Sequence, residues 1–424
     1  MLDRFKPQSE SSRNILTLMT GTTIAQAIPV AISPILTRIY TPSDFGVFAL
    51  FIALIALFSP IASARYEQAL LLPAKDEDAL SLFALGFFIL LSTSLLLTLF
   101  IVIFHTFLLS FFENKSISFW LYFIPLTVFF IGLFNLLSYW NNRKKLYTAL
   151  SQATIFKAVA LAIVQIGIGL LKDGATGLIS GQIIAQLVAN TRLLKSLIFD
   201  ASKYKVLKPL KILALSKKYR NFPMYQIPHV IFNTVGTNLP IYIFSSFFSA
   251  ATTGLYALST RIVLAPLMII SGAYAKVYNE IIVQRIHSNQ ESYHYTLSFL
   301  KSLAIKVLPI IIIITFFAPE IFAFVFGEMW REAGIYTQIL SPWLFINIMV
   351  ASVAYIPSVL GMQKKALYVS MVQVLVSTIA LSIGVMSESV YIALIAFMIS
   401  SSLILLYNLT WFLASLKALK EIER

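Results

Sequence analysis

The composition of this 424-residue chain points to a membrane: 58% of its residues are hydrophobic, 12% are charged, and the mean hydropathy is +0.84. Because soluble domains have roughly 45–50% apolar and about 25% charged residues, a soluble enzyme is excluded. Lys and Arg number 32 against 18 Asp and Glu, and basic loops on one side of a membrane account for the net charge of +14 without nucleic acid as a partner. With no cysteine and 4 histidines, we expect no disulfide framework, no metal site and no cofactor.

Runs of apolar residues divide the chain into predicted membrane spans. A helix needs about 20 mostly apolar residues to cross the hydrocarbon of a bilayer, whereas a barrel strand needs only about 9–11 alternating ones. Twelve runs meet the helical requirement, so the sequence predicts an all-α integral membrane protein with twelve transmembrane helices. In chain order, the predicted spans are 14–36, 44–66, 79–104, 117–139, 150–171, 175–197, 221–247, 252–275, 298–318, 334–358, 366–386 and 389–413.

The distribution of basic residues predicts the orientation of these spans. When both termini are placed in the cytoplasm, inside segments hold 26 of the 32 Lys and Arg, outside segments hold 4, and Lys157 and Arg261 remain within spans. Cytoplasmic loops carry such an excess of cations, so we predict cytoplasmic termini. The longest inside loop, 198–220, divides the chain almost in half, and the longest outside loop, 319–333, is predicted to lie along the membrane interface.

The two halves of the chain resemble each other. Residues 45–50 (FGVFAL) match 253–258 (TGLYAL) at an offset of 208. Six spans per half preserve the orientation, so the repeat is parallel, as in transporters whose halves are related by an axis along the membrane normal. We therefore predict two six-helix bundles, 1–205 and 206–424, related by a pseudo-twofold along that normal, with a substrate bound between them.

The first span of each half carries polar and helix-breaking residues on one face. Both sets follow an i, i+4, i+7, i+11 spacing, which places their members on one side of a helix. One interpretation is that these faces line a central cavity, with Gln26 and Asn233 as substrate-binding residues. The other is interhelical hydrogen bonding and close packing. The sets are Thr22, Gln26, Pro29 and Ser33 in the first half, and His229, Asn233, Gly236 and Pro240 in the second.

Four cations lie within or at the ends of predicted spans. Lys157 lies about 18 Å along its span, near the midplane, and Arg261 lies about 12 Å from the outside end. No Asp or Glu lies near a span centre, so the substrate is the candidate counter-anion for Lys157 and Arg261, with snorkelling to the interface as the alternative. Arg38 and Arg65 are candidate substrate ligands or topology anchors, and a local pair of Arg65 with Glu67 is a further interpretation.

The positions of the acidic residues favour an anionic cargo. Proton- or sodium-coupled exporters of cationic drugs usually need carboxylates buried in the membrane, and the predicted spans have none near their centres. The acidic run 76–78 is interpreted as a solvated, charge-balancing loop, and the metal site of a glycosyltransferase is the less favoured alternative. The chain contains no G-x-x-x-x-G-K-[ST] phosphate loop and no H-E-x-x-H motif.

Four segments carry a resemblance to a known family. The most specific one covers 21–46, with GT, then QAIP, then the run SPILTRIYTPSDFG. The others are RYEQALLLP at 65–73, WNNR at 140–143 and GEMWREAG at 327–334. Together they resemble the Wzx-type O-antigen/polysaccharide repeat-unit flippases of the multidrug/oligosaccharidyl-lipid/polysaccharide exporter superfamily, nearly end to end.

The resemblance implies a transporter rather than an enzyme. Such flippases move undecaprenyl-pyrophosphate-linked oligosaccharide repeat units from the cytoplasmic to the periplasmic leaflet of the bacterial inner membrane by alternating access, for O-antigen or other surface polysaccharides. The implied partners are the lipid-linked oligosaccharide, membrane lipids and other polysaccharide-assembly membrane proteins, with no catalytic residue and no cofactor. A small-solute or multidrug exporter of the same superfamily stays open as an alternative. A membrane polymerase or ligase is disfavoured because the outside loops are short.

Overall fold

The protein is helical throughout the part of the chain that the structure describes. No strand occurs in that part, and the all-α membrane architecture predicted from the sequence is confirmed. Two compact units divide the chain, Met1–Thr234 and Val235–Arg424. The boundary predicted at 205/206 falls among residues that lie outside the described ones. The computed structural model describes residues 10–112, 115–201, 209–288 and 290–422.

The first unit contains the described helices α1 to α10 and the start of α11, which continues into the second unit. A short 3₁₀ turn at Lys115–Ile117 precedes α6, and a π turn at Phe222–Gln226 precedes α11. The helices are α1 (Glu10–Ala31), α2 (Ser33–Ile39), α3 (Pro42–Phe58), α4 (Tyr66–Ala69), α5 (Asp76–Phe112), α6 (Ser118–Leu121), α7 (Ile124–Arg143), α8 (Tyr147–Gly169), α9 (Thr176–Ala201), α10 (Pro209–Lys218) and α11 (Ile227–Phe247).

The second unit is built from longer helices. The first helix that lies wholly within it, α12, has 38 residues, about 57 Å at 1.5 Å per residue, so it extends well beyond the hydrocarbon of a bilayer. The described helices are α12 (Ala250–His287), α13 (Tyr293–Phe326), α14 (Arg331–Val353), α15 (Ile356–Val359), α16 (Gln363–Met386) and α17 (Val390–Ile422).

Nine helical segments in the described ranges are long and apolar enough to cross a membrane. The other three predicted spans also fall on helices, namely α3, α9 and α11. Helix α3 is apolar but has only 17 residues. Helices α9 and α11 carry amide side chains, including Gln182, Gln186 and Asn238, which lower their hydropathy. Each predicted span therefore contains a helix, although the span predicted at 44–66 is helical only to Phe58. The polar side chains of α9 and α11 distinguish these two helices from the nine more apolar segments.

Matching caps begin the two helices that share the sequence repeat. The Thr41 hydroxyl accepts a hydrogen bond from the Asp44 amide (3.3 Å), and the Asp44 carboxylate accepts one from the Thr41 amide (2.9 Å), which forms a capping box before α3. The Ser249 hydroxyl accepts a hydrogen bond from the Thr252 amide (3.0 Å) before α12. Thr41 and Ser249 are 208 residues apart, which is the offset of the sequence match, so the likeness of the two segments extends to their local structure.

The duplicated helices end differently. Helix α3 stops at Phe58, and the chain then turns through Ala64 and Arg65, whose φ values of 50° and 62° lie in the left-handed region. Helix α12 instead continues without interruption to His287. Residues other than glycine adopt left-handed angles at a cost of roughly 1–2 kcal/mol, so the break after α3 has to be held by its surroundings.

The prediction of an interfacial loop at 319–333 is wrong. Helix α13 continues through Pro319 to Phe326, since neighbouring groups can satisfy the backbone carbonyl that a proline frees within a membrane helix. Gly327, with φ of 105°, ends the helix, and a single 3₁₀ turn leads to α14. A Cβ atom at Gly334 would clash with the backbone of Pro319, so α13 and α14 pack backbone to backbone at this end.

A tyrosine between two glycines ties the end of α2 to α8 and α9. The Tyr40 hydroxyl donates a hydrogen bond to the Gln165 carbonyl (2.6 Å), and the side chain is 2% exposed. A Cβ atom at Gly169 or Gly177 would overlap that hydroxyl. The missing side chains of these two glycines therefore create the space that Tyr40 fills.

Gly177→Ala should lower the thermal stability of the protein, because the added methyl group overlaps the Tyr40 hydroxyl and nearby backbone. Overpacking of this kind costs about 1–3 kcal/mol. The matched control is Gly167→Ala in α8, where no atom lies within 4 Å of the added group. Thermal unfolding in detergent checks the expectation: the midpoint falls for Gly177→Ala alone, and equal midpoints for the two variants would contradict it.

Candidate functional site

Lys157 lies in the middle of a membrane helix beside an aromatic ring. It is the eleventh of the 23 residues of α8, it is half-buried, and its ammonium nitrogen lies 5.2 Å from the centroid of the Phe134 ring. No carboxylate among the described residues pairs with it. A midplane cation costs about 2.5–3.5 kcal/mol, and a cation–π contact contributes about 0.5–2 kcal/mol. An anion that reaches Lys157 would lower the remaining cost.

Arg261 is the other cation that the sequence places within a predicted span. It is the twelfth residue of α12, about 16 Å from the start of the helix, and it is half-buried. Within the described ranges its guanidinium has neither a hydrogen bond nor an ion pair. A guanidinium is always charged and carries five N–H donors, so Arg261 retains its full capacity for an anionic ligand.

Arg65 has a local acidic partner, as one of the sequence interpretations expected. One of its terminal guanidinium nitrogens lies 3.6 Å from a carboxylate oxygen of Glu67, which is 3% exposed and accepts a hydrogen bond from the Ser63 hydroxyl (2.6 Å). The Nε atom of Arg65 is buried without a hydrogen-bond partner. The turn after α3 therefore encloses a carboxylate whose charge Arg65 compensates, and a role for Arg65 in substrate binding stays a prediction.

Two hydroxyls of the first polar face donate to backbone carbonyls of α1. Thr22 donates a hydrogen bond to the Leu18 carbonyl (2.7 Å), and Ser33 donates one to the Pro29 carbonyl (2.6 Å). Gln26 lies between them on the same face and is exposed. Hydroxyls that donate to a backbone carbonyl four residues earlier are compatible with an apolar environment, so the exposed amide is the member of this face that is open to a ligand.

The other polar candidates lie on separate elements. Arg38 is in the last turn of α2 and is exposed, and Asn233 is exposed on α11. On α11, a Cβ atom at Gly236 would crowd a methyl group of Val374 in α16 at 2.9 Å, so close packing explains this member of the second polar face. Among the candidates in the first unit, no hydrogen bond or ion pair joins any two within the described ranges.

The acidic run 76–78 begins α5, so the prediction of a loop is wrong, whereas the predicted charge balance is present because basic side chains bind the run. Asp76 accepts hydrogen bonds from Arg143 (2.9 Å) and Lys144 (2.6 Å) at the end of α7. Arg143 also donates to the carbonyls of Leu70 (3.1 Å) and Pro73 (2.7 Å). Acidic residues at a helix amino terminus also interact favourably with the helix dipole. This cluster joins the starts and ends of three helices.

The same acidic run anchors the basic helix α10. The Lys211 ammonium pairs with the carboxylates of Asp78 and Glu77, and the hydrogen bond to Asp78 raises its pKa. The Tyr66 hydroxyl adds a bond to the Ser216 carbonyl (3.1 Å). The sequence shows the excess of lysines around α10. It does not show their acidic partners, because those residues lie more than 100 positions away in the chain.

Asp76→Asn should destabilise the protein by about 1–2 kcal/mol, because it removes the charge that two basic side chains share at a partly exposed site. Glu77→Gln is the matched control, since Glu77 is more exposed and makes one contact of 3.5 Å. Urea or thermal unfolding in detergent measures the difference. Equal stability of the two variants would mean that the contacts of Asp76 with Arg143 and Lys144 stabilise the protein no more than a surface ion pair does.

The fold matches solved structures of membrane transporters. Lipid II flippase MurJ in an inward closed conformation aligns with 96% of this chain and 90% of its own, at a TM-score of 0.71 and 13% identity. An outward-facing multidrug resistance MATE family transporter of the MOP superfamily aligns over 96% of each chain, at a TM-score of 0.59 and 14% identity. A MOP superfamily transporter from Pyrococcus furiosus aligns over 96% of each chain, at a TM-score of 0.54 and 15% identity. These likenesses show the fold.

A family model described as "Polysaccharide biosynthesis protein" matches residues 35–335, which is more than half of the chain. The matched segment contains every candidate site residue except Gln26, which precedes it. No curated protein matches the chain. The family description names polysaccharide biosynthesis, and the solved structures that share the fold are a lipid II flippase and MOP superfamily transporters.

Proposed function

Because this chain belongs to the polysaccharide biosynthesis protein family, we propose that it translocates undecaprenyl-pyrophosphate-linked oligosaccharide repeat units. The cargo moves from the cytoplasmic to the periplasmic leaflet of a bacterial inner membrane and serves O-antigen or another surface polysaccharide. Lys157 carries the proposal, since it is a half-buried cation in the middle of α8 with no acidic partner among the described residues. A pyrophosphate supplies the anion that such a cation lacks.

The pyrophosphate, the sugars and the lipid tail of this cargo each have a suitable binding partner in the protein or the bilayer. Lys157 and Arg261 attract the pyrophosphate through charge-assisted hydrogen bonds. The exposed amides of Gln26 and Asn233 exchange hydrogen bonds with sugar hydroxyls. The polyprenyl chain stays in the bilayer, because an apolar chain in contact with lipid needs no binding site in the protein. No step of this transport forms or breaks a covalent bond, so it needs no catalytic residue.

The duplicated architecture supports alternating access between two lobes, 1–205 and 206–424. Both termini lie in the cytoplasm in this proposal, as the excess of cations in the predicted inside segments requires. Arg38 and Arg65 then act near the ends of their spans, where they meet the anion as it enters or leaves. Lipid-linked oligosaccharide, membrane lipids and other polysaccharide-assembly proteins are the proposed partners.

Deletion of the gene in its source organism tests this cargo. Extracted lipids should contain accumulated undecaprenyl-pyrophosphate-linked single repeat units, and the surface polysaccharide should be lost. Restoration of both by the intact gene shows that the effect belongs to this protein. Unchanged levels of lipid-linked sugar in the deletion strain would overturn the proposal.

Lys157→Met should reduce repeat-unit export while leaving the protein folded. Loss of one charge-assisted hydrogen bond corresponds to about 10–100-fold in anion affinity, and Arg261→Met should act in the same direction. The thermal midpoint should stay equal or rise, because each change removes a cation from the membrane. Lys172→Met is the matched control, since Lys172 is exposed beyond the end of α8. Complementation at equal protein level measures export, and full export by both membrane variants would exclude these cations from the path.

An exporter of small solutes or drugs is the second candidate, favoured by the likeness of the fold to multidrug resistance MATE family transporters. Export of cations usually uses a membrane-embedded carboxylate. In the described part of the chain the one buried carboxylate is Glu67, and Ser63 and Arg65 already engage it. Increased sensitivity of the deletion strain to cationic drugs, with normal lipid-linked sugar, would establish this second function instead.

A further inference from the structure

A cavity of about 530 Å³ lies where the junction of α7 and α8 meets α9. All of its lining residues belong to the first unit. Fully buried Asn141 joins two of its walls: the amide nitrogen donates to the Leu193 carbonyl (3.2 Å), and the amide oxygen accepts from the Ser196 hydroxyl (2.9 Å). Because the hydrogen bonds of this buried amide hold α7 against α9, two walls of the cavity are fixed in position relative to each other.

Three cations line this cavity without an acidic partner in the described ranges: Lys145, Arg192 and Lys195. The Nε and Nη2 atoms of Arg192 donate to the side-chain oxygen of Gln152 (3.2 and 2.6 Å), which fixes the orientation of the guanidinium. Three of its five N–H donors remain for a ligand. The cations therefore form a positively charged lining that no carboxylate of the described chain neutralises.

The start of α8 adds unsatisfied donors to the same cavity. Leu146, Tyr147 and Thr148 line it, and no side chain caps this 23-residue helix. The first turn of a helix has backbone N–H groups without intrahelical acceptors, and the helix dipole favours an anion there. Three cations and an uncapped helix start, gathered around one cavity, favour a ligand with several anionic oxygens, and a phosphate group has this chemistry.

The position and the walls of the cavity indicate where that phosphate comes from. Helices α7 and α8 are each long and apolar enough to cross the membrane, so the junction between them lies at a membrane surface. Two apolar side chains in the lining are exposed, Leu146 by 40% and Phe199 by 66%. A phosphate attached to acyl chains satisfies both the cations and these apolar walls, whereas free phosphate satisfies only the cations.

We infer that this cavity binds the phosphate group of an anionic phospholipid. Lys145, Arg192 and Lys195 hold the head group, and the acyl chains pass along Leu146 and Phe199 into the bilayer. The orientation predicted from the positive-inside rule places the site in the cytoplasmic leaflet, where anionic lipids attract basic residues. This site does not depend on the identity of the transported cargo, and its test involves no transport.

Native mass spectrometry of the purified full-length protein tests the site. The protein is mixed with equal amounts of phosphatidylglycerol and phosphatidylcholine that carry the same acyl chains. We expect retention of phosphatidylglycerol over phosphatidylcholine, and a loss of about tenfold in Lys145→Glu/Lys195→Glu. Both lysines are exposed, so the double variant should fold. Lys217→Glu/Lys301→Glu is the matched control, because it reverses two exposed charges outside the cavity.

A second variant separates the cavity from general surface charge. Thr148→Trp places a bulky side chain at an exposed lining position without changing the charge, and it should also reduce retention of phosphatidylglycerol. Equal retention of the two lipids by the parent protein would overturn the inference. So would an equal loss in the control double variant, or displacement of the lipid by inorganic phosphate as readily as by short-chain phosphatidylglycerol, which would indicate a site for free anions.

Discussion

A polar group inside a bilayer has no water to bind, so it needs a partner within the protein. This constraint makes the chain helical, since a helix satisfies the backbone of each span locally. It also explains the small hydroxyl side chains, such as Thr22 and Ser33, which donate to backbone carbonyls four residues earlier in the chain. Amides follow the same rule across helices, as Asn141 does between α7 and α9.

Charged side chains obey the constraint in three ways. At the start of α5, Asp76 is bound by Arg143 and Lys144, and the basic helix α10 is held to its neighbours through Lys211. In the turn after α3, Glu67 is buried with Arg65 and a hydroxyl. Within the membrane helices, Lys157 lies over the Phe134 ring and has no acidic partner among the described residues. A cation within a membrane helix that has no acidic partner is the kind that an anion from outside the protein would stabilise most.

The two helices that share the sequence match begin alike and end differently. Thr41 and Ser249 cap α3 and α12 at equivalent positions of the repeat. After the cap, the first half breaks its helix at Phe58 and forms a left-handed turn at Arg65, whereas the second half continues as one helix. The break gives the first unit an enclosed ion pair that the second unit does not repeat at this position, so the two halves are not chemically equivalent even though their spans begin alike.

The sequence by itself determined the helical class and the placement of Lys157 and Arg261 within apolar helices, because hydropathy and residue order are local properties of the chain. The division into two lobes of six spans stays a prediction. The sequence failed at 319–333, where polar residues suggested a loop although α13 continues to Phe326. It also missed the partners of Asp76 and the cavity beside Arg192. Only the tertiary structure decided these, because side chains from helices far apart in the chain meet there, and no local pattern records which of them come into contact.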